Sequence, residues 1–161
     1  MNIAVYISGH GFGHLAQMAP VLNRMYFIRP GCQFLIRCSL PEGELRSRLH
    51  FEFQLDSTSV DLGVIQKSAI EEDREASIKQ MSAWTATISQ RIEYEVELLR
   101  GFKPSLVISN ISPLAFPAAR ALGVANIGLA TLDWFSIYSC WLSSDAPIVA
   151  SLKSAYEQCD L

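Results

Sequence analysis

The stretch ISGHGFGHLAQMAP, Ile7 to Pro20, joins a short apolar run to an apolar-periodic segment through Gly9, Gly11 and Gly13, with His10 and His14 interleaved among them. Upstream, Ile3, Val5 and Ile7 alternate with Ala4 and Tyr6. That run is apolar on both faces, which predicts a strand buried inside a parallel sheet. Downstream, Leu15, Met18, Ala19, Leu22, Met25 and Tyr26 fall at the spacing of one helical face. Pro20 lies within this pattern and removes a bond to the carbonyl of Ala16, which predicts a kink or a late helix start.

A strand-to-helix turn rich in glycine admits positive φ and lets a ligand approach the backbone. The following helix aims its unpaired N–H groups and the positive end of its dipole at the same place. The turn therefore favours an anion or a polar hydroxylated ligand, with Gly9, His10, Gly11, Phe12 and Gly13 as its lining. The plainer alternative is a tight turn with two solvated imidazoles. Two histidines within five residues of one such turn favour the functional reading. The spacing G-x-G-x-G-H is not the dinucleotide fingerprint, and Arg37, Cys38 and Ser39, where the second strand should end, offer no carboxylate to a ribose.

Working outward, Cys32 to Cys38 reads as a second strand, Pro41 to Leu49 as a short polar helix and His50 to Leu55 as a third strand. Residues 56 to 70 lack periodicity and read as a long loop able to close over a ligand. One long helix is expected from about Glu71 to Arg100, with Ile78, Met81, Trp84, Ile88, Ile92, Val96 and Leu99 on one stripe, Trp84 in the core and Gly101 as the stop. Ser105 to Ser109 is a further strand. Asn110 to Pro113 is a second turn, in which Ser112 is placed to cap a helix that opens at Pro113 and closes at Gly123. Val124 to Leu129 is the last strand and opens into Thr131, Leu132, Asp133, Trp134 and Phe135.

Alternating strands and helices predict a Rossmann-like, doubly wound parallel sheet in three layers, α/β/α, as a single domain over residues 1–161. Ligands in such sheets bind beyond the carboxyl ends of the strands. That rule gathers the 9–14, 110–113 and 131–135 turns on one edge, so Ser112, Thr131, Asp133 and Trp134 join the glycine loop as candidate ligand-binding residues.

With 161 residues, half of them hydrophobic and 18% charged, the chain can bury a sizeable core. A net charge of −3 and a pI near 5.6 supply no basic field for nucleic acid or anionic lipid. Leu106 to Leu142 is strongly apolar, but Pro113, Pro117, Gly123 and Gly128 cut it into pieces too short to span a bilayer. Residues 1 to 8 show no secretory signal, and cytoplasmic residence is the default expectation. Cys32, Cys38, Cys140 and Cys159 form no C-x-x-C pair and read as buried free thiols, with no metal site. Trp134, Phe135, Tyr138 and Trp141 crowd one short segment, which predicts a partly exposed apolar surface and a possible homodimer.

The glycine turn ending in Gly-His, the later Pro104-Ser-Leu-Val-Ile-Ser109, and the helix closing in Ala121-Leu-Gly-Val124 together resemble the N-terminal half of glycosyltransferases built from two Rossmann-like domains. GHGFGH is also similar to the glycosyltransferase-like N-terminal region of plant arabinose kinases. The resemblance spans roughly residues 1 to 140. It implies that this half holds a small-molecule hydroxyl acceptor, while a C-terminal half, expected beyond Leu161, holds a nucleotide sugar as donor substrate; no other cofactor is implied. It makes His14 the general base, and it places Asn110 where many relatives carry an acidic residue that orients that base. A non-catalytic domain that binds an anion, sugar or nucleotide is the alternative.

Overall fold

The computed structural model describes the whole chain, Met1 to Leu161. Five parallel strands form the central sheet: β1 (Asn2–Ile7), β2 (Gln33–Arg37), β3 (Phe53–Asp56), β6 (Leu106–Asn110) and β7 (Ala125–Gly128), in the order β3-β2-β1-β6-β7. Strand order reverses between β1 and β6, which opens a crevice between their carboxyl ends. The register sets Ile7 opposite Asn110, so the glycine turn and the second turn emerge side by side.

The two faces of the sheet follow from the alternation in β1. Ile3, Val5 and Ile7 pack with Leu15, Met18 and Leu22 of α1 (Gly13–Ile28) and with Leu45 of α2 (Glu42–Arg48). Ala4 and Tyr6 pack on the other face with Leu99 of α4 (Ile88–Phe102) and Ala115, Ala118 and Ala119 of α5 (Ala115–Ala121). A third cluster lies above the carboxyl edge, where α3 (Arg74–Thr85), α6 (Trp134–Ser139) and α7 (Pro147–Tyr156) bury Met81, Trp84, Trp134, Tyr138 and Leu152.

Several local expectations need correction. The segment 74–102 is two helices, because Thr85 Oγ1 donates back to the Met81 carbonyl at 2.9 Å and Thr87 Oγ1 to that of Trp84 at 3.0 Å, which competes with continued helix. The stripe divides within α4: Ile78, Ile88 and Ile92 join the upper cluster, whereas Val96 and Leu99 pack on the sheet. Helix α4 passes through Gly101 and stops when Lys103 turns left-handed at φ 55°, its N–H reaching the Leu99 carbonyl. Helix α1 begins at Gly13 despite Pro20; Ala16 and Pro20 are both exposed, so the freed carbonyl faces water. At the end of the 56–70 segment a two-stranded hairpin forms from β4 (Gln66–Ser68) and, just beyond it, β5 (Glu71–Glu72). Ser112 caps nothing: α5 starts after Leu114. Only Cys32 and Cys38 are buried, whereas Cys140 is exposed and Cys159 half-buried. Of the four clustered aromatics, Trp134 and Tyr138 are buried while Phe135 and Trp141 stay half-exposed. No helix is long and apolar enough to cross a membrane.

Candidate functional site

A cleft of about 360 Å³ opens at the carboxyl edge, beside the reversal of strand order. His10 and His14 from the first turn, Ile111 from the second, and Thr131, Leu132 and Trp134 from the third all line it. The three turns thus meet as the strand pattern requires. Val64, Gln66 and Glu72 from the 57–72 segment close the far wall. A larger hollow of about 430 Å³ lies by Thr58, Arg91 and Tyr94. It holds neither cleft histidine, and its one perturbable buried group, Glu95, is already paired inside the protein. The site is therefore assigned to the smaller cleft.

His14 stands on the first turn of α1, half-buried, and burial pushes its imidazole pKa below the ordinary 6.5 while Asn110 pulls it the other way. Burial wins, so the imidazole is neutral at pH 7 and able to accept a proton. Asn110 ends β6 fully buried; its Nδ2 donates to the Leu129 carbonyl at 2.7 Å and to Gln17 Oε1 at 3.1 Å. Its Oδ1 and His14 Nδ1 are both buried without a well-formed hydrogen bond, although the amide is near enough to act on the ring. Unpartnered buried polar atoms are rare in folded proteins. Here two occur on neighbouring side chains at the cleft.

The backbone of the second turn is strained. Ile111 has φ 60°, a left-handed conformation that a β-branched residue seldom adopts and that costs on the order of 1–3 kcal/mol. The turn is pinned from both sides: Ser109 Oγ donates to the Ser112 carbonyl at 2.9 Å, and Ser112 Oγ donates to the Val60 carbonyl at 2.8 Å.

His10 sits in a corner that the sequence did not reveal. Its ring meets Trp134 edge-on at 5.8 Å between centroids, and a Cβ on Gly63 would collide with the imidazole, so only glycine fits there. Beneath both rings lies Asp61, 4% exposed, which accepts from Trp134 Nε1 at 3.0 Å. Burial pushes the Asp61 carboxyl above the ordinary carboxylate range, against the lowering effects of Trp134, Ser8 and the charge of His10. Asp61 and Gly63 were hidden inside a segment read only as a loop. An acid and a glycine in an otherwise aperiodic stretch were the sole signal.

The remaining candidates divide. Gly11 takes φ 84°, which fits a turn glycine, and Phe12 projects into solvent, 50% exposed, at the entry to α1. Gly9 packs against Ser39 and Gly13 is the first residue of α1. Two candidates are committed elsewhere. Ser112 is fully buried with its hydroxyl spent on Val60, and Asp133 caps α6 by accepting from the Ser136 N–H at 2.7 Å. No group of three or more side chains is arranged to hold a metal ion.

Strand order, crevice and glycine turn describe a Rossmann-like α/β fold, which this chain shares with glycosyltransferases and epimerases of known structure. L-arabinokinase of Arabidopsis thaliana is 26% identical over 163 residues, a match that covers 98% of this chain and 16% of that protein. The Streptomyces sp. SF2575 glycosyltransferase SsfS6 superposes with a TM-score of 0.56 at 16% identity, over 97% of this chain and 44% of its own. UDP-GlcNAc 2-epimerase from Neisseria meningitidis, solved bound to UDP-GlcNAc, gives a TM-score of 0.54 at 17% identity, over 94% of this chain and 39% of its own. The chain therefore spans less than half the length of each of these proteins. No family model matches it.

Proposed function

We propose that these 161 residues form the acceptor-binding N-terminal half of a glycosyltransferase-like protein. A nucleotide sugar would be held by a C-terminal donor half. The observation that carries this reading is the neutral, half-buried His14 at the cleft, with its Nδ1 unpartnered beside Asn110. A hydroxyl placed against that imidazole gives up its proton to it as the hydroxyl oxygen attacks the sugar carbon and the bond from that carbon to the nucleotide diphosphate breaks, the diphosphate leaving with the bonding pair; a positioned base contributes about 10²–10⁴ in rate. The likeness to GT-B proteins supports the direction of the assignment, and the arabinokinase match is compatible with it.

The cleft lacks any lysine or arginine in its lining and so offers no grip for a diphosphate. The 161-residue chain alone should therefore bind hydroxylated acceptors without turning over UDP-sugars. Calorimetric titration with each class, followed by a nucleotide-release assay, tests this. Transfer catalysed by the isolated chain would refute the division of labour, because proximity of donor and acceptor supplies much of the rate.

A further inference from the structure

We propose that Tyr156, which stands outside the cleft lining, is a positioning residue for the cleft: its one hydroxyl ties the second turn to the third and holds the strained backbone that presents Asn110 to His14. The inference rests on the acceptor-half reading and adds to it a residue that acts through others.

Tyr156 is the last residue of α7. Its hydroxyl donates to the Ile111 carbonyl and accepts from the Trp134 N–H at 3.4 Å. No backbone N–H bonds to the Ile111 carbonyl, so the hydroxyl is the group that satisfies it. The Trp134 N–H opens α6 and is one of the donors that a helix N-terminus leaves free; Asp133 takes the Ser136 N–H instead. Ile111 and Trp134 both line the cleft, and their side chains are buried in the same upper cluster. One oxygen therefore couples two of the three turns from behind.

The position uses the hydroxyl and not only the ring. Burial, with the charges of Asp133 and Asp61 added, holds the phenol pKa well above the ordinary 10 against the lowering effect of the Trp134 N–H. The donated proton thus stays on the oxygen throughout the working range of pH. The ring is seated against Phe116 at 5.8 Å between centroids, which limits the swing of the O–H.

Ile111 is where that bond matters. At φ 60° its β-branched side chain crowds its own backbone, a conformation that persists only where the surroundings over-determine it. Ser112 is pinned to Val60 on one side, and Tyr156 holds the Ile111 carbonyl on the other. Loss of the second hold lets Ile111 relax and rotates the peptide plane that it shares with Asn110. Asn110 Oδ1 and His14 Nδ1 are both buried without a partner, so a rotation there changes the approach of the amide to the imidazole.

The test is NMR on the 161-residue chain carrying Tyr156→Phe, which keeps the ring and removes the hydroxyl. The Ile111 backbone carbon shifts, which report left-handed φ, should move toward ordinary values, and the Asn110 side-chain amide signals should move with them. The His14 midpoint should fall further below 6.5, because Asn110 is the group that holds it up. Leu49→Ala is the control. Leu49 is buried in the cluster on the α1 face, in the connection into β3, so its truncation lowers stability without touching either turn. Shifts at Ile111, Asn110 and His14 that Leu49→Ala does not reproduce support the inference. Unmoved Ile111 and Asn110 signals in Tyr156→Phe overturn it, as does a His14 midpoint that stays in place or an equal response to Leu49→Ala. A His14 midpoint at or above 6.5 in the unmodified chain, with the Tyr156→Phe shifts present, would leave the positioning role standing while removing the base from the acceptor-half reading.

Discussion

Two clusters of buried polar groups lie at the carboxyl edge of the same sheet, and they are satisfied in opposite ways. At the end of β2, Arg37 is fully buried and paired with Glu95 of α4 and Asp56 of β3, while Tyr6 donates to Glu95 at 2.9 Å. Burial alone would discourage the Arg37 charge, but the hydrogen bond and charge of Glu95 outweigh it and hold the guanidinium pKa above its ordinary value. At the ends of β1 and β6, His14 and Asn110 leave buried atoms unpaired beside a backbone strained at Ile111. Where the fold needs a buried charge, it cancels that charge internally. At the cleft it leaves polar atoms open and tolerates strain.

The largest effect should come from breaking the closed cluster. Glu95→Ala strands Arg37 without its main counter-charge, which should cost about 3–5 kcal/mol of stability in chemical denaturation. A loss below about 1 kcal/mol would show that Asp56 and solvent suffice. Next comes the open cluster's support. Gly63→Ala drives a methyl into the His10 ring and should cost about 1–3 kcal/mol, with displaced His10 imidazole resonances. Unmoved resonances would mean that the 57–65 loop yields instead.

A smaller effect, of opposite sign, is expected at Asp61. Its folded pKa is raised chiefly by burial, so the folded chain binds more protons than the unfolded one between 3.8 and that raised value. Ionising Asp61 inside the fold therefore lowers stability, and this loss fades as pH falls through the folded pKa. Asp61→Asn should raise stability at pH 7 by on the order of 1 kcal/mol while loosening the His10 and Trp134 corner. Destabilisation would instead reveal a net favourable Asp61–His10 attraction.

The architecture was legible because its signals are local and repeated. The apolar alternation of β1, the glycine turn and the later strand-turn-helix units each predict parallel strands with their turns on one edge. What stayed hidden was tertiary. The Thr85 and Thr87 back-bonds that split one helix into two leave no break in the hydrophobic stripe. Ser112 and Asp133 carry side chains suited to a ligand, and only packing shows that Val60 and Ser136 have claimed them. Asp61, Gly63 and Gln66 lie in an aperiodic stretch, and contacts made across 70 residues or more, such as Trp134 to Asp61, bring that stretch to the site.

The central claim is that His14 is a neutral base held at the cleft by burial, with an amide where a carboxylate would stabilise its charged form. Because its folded pKa lies below 6.5, the unfolded chain carries more protons between the two values, and the His14 contribution to stability is lost as pH falls through that window. NMR titration resolves the question directly, since the chain holds only three histidines. The account predicts a His14 midpoint below 6.5 that rises in Asn110→Asp, where the new carboxylate favours the imidazolium. A His14 midpoint at or above 6.5 in the unmodified chain, or one that Asn110→Asp leaves in place, would contradict it.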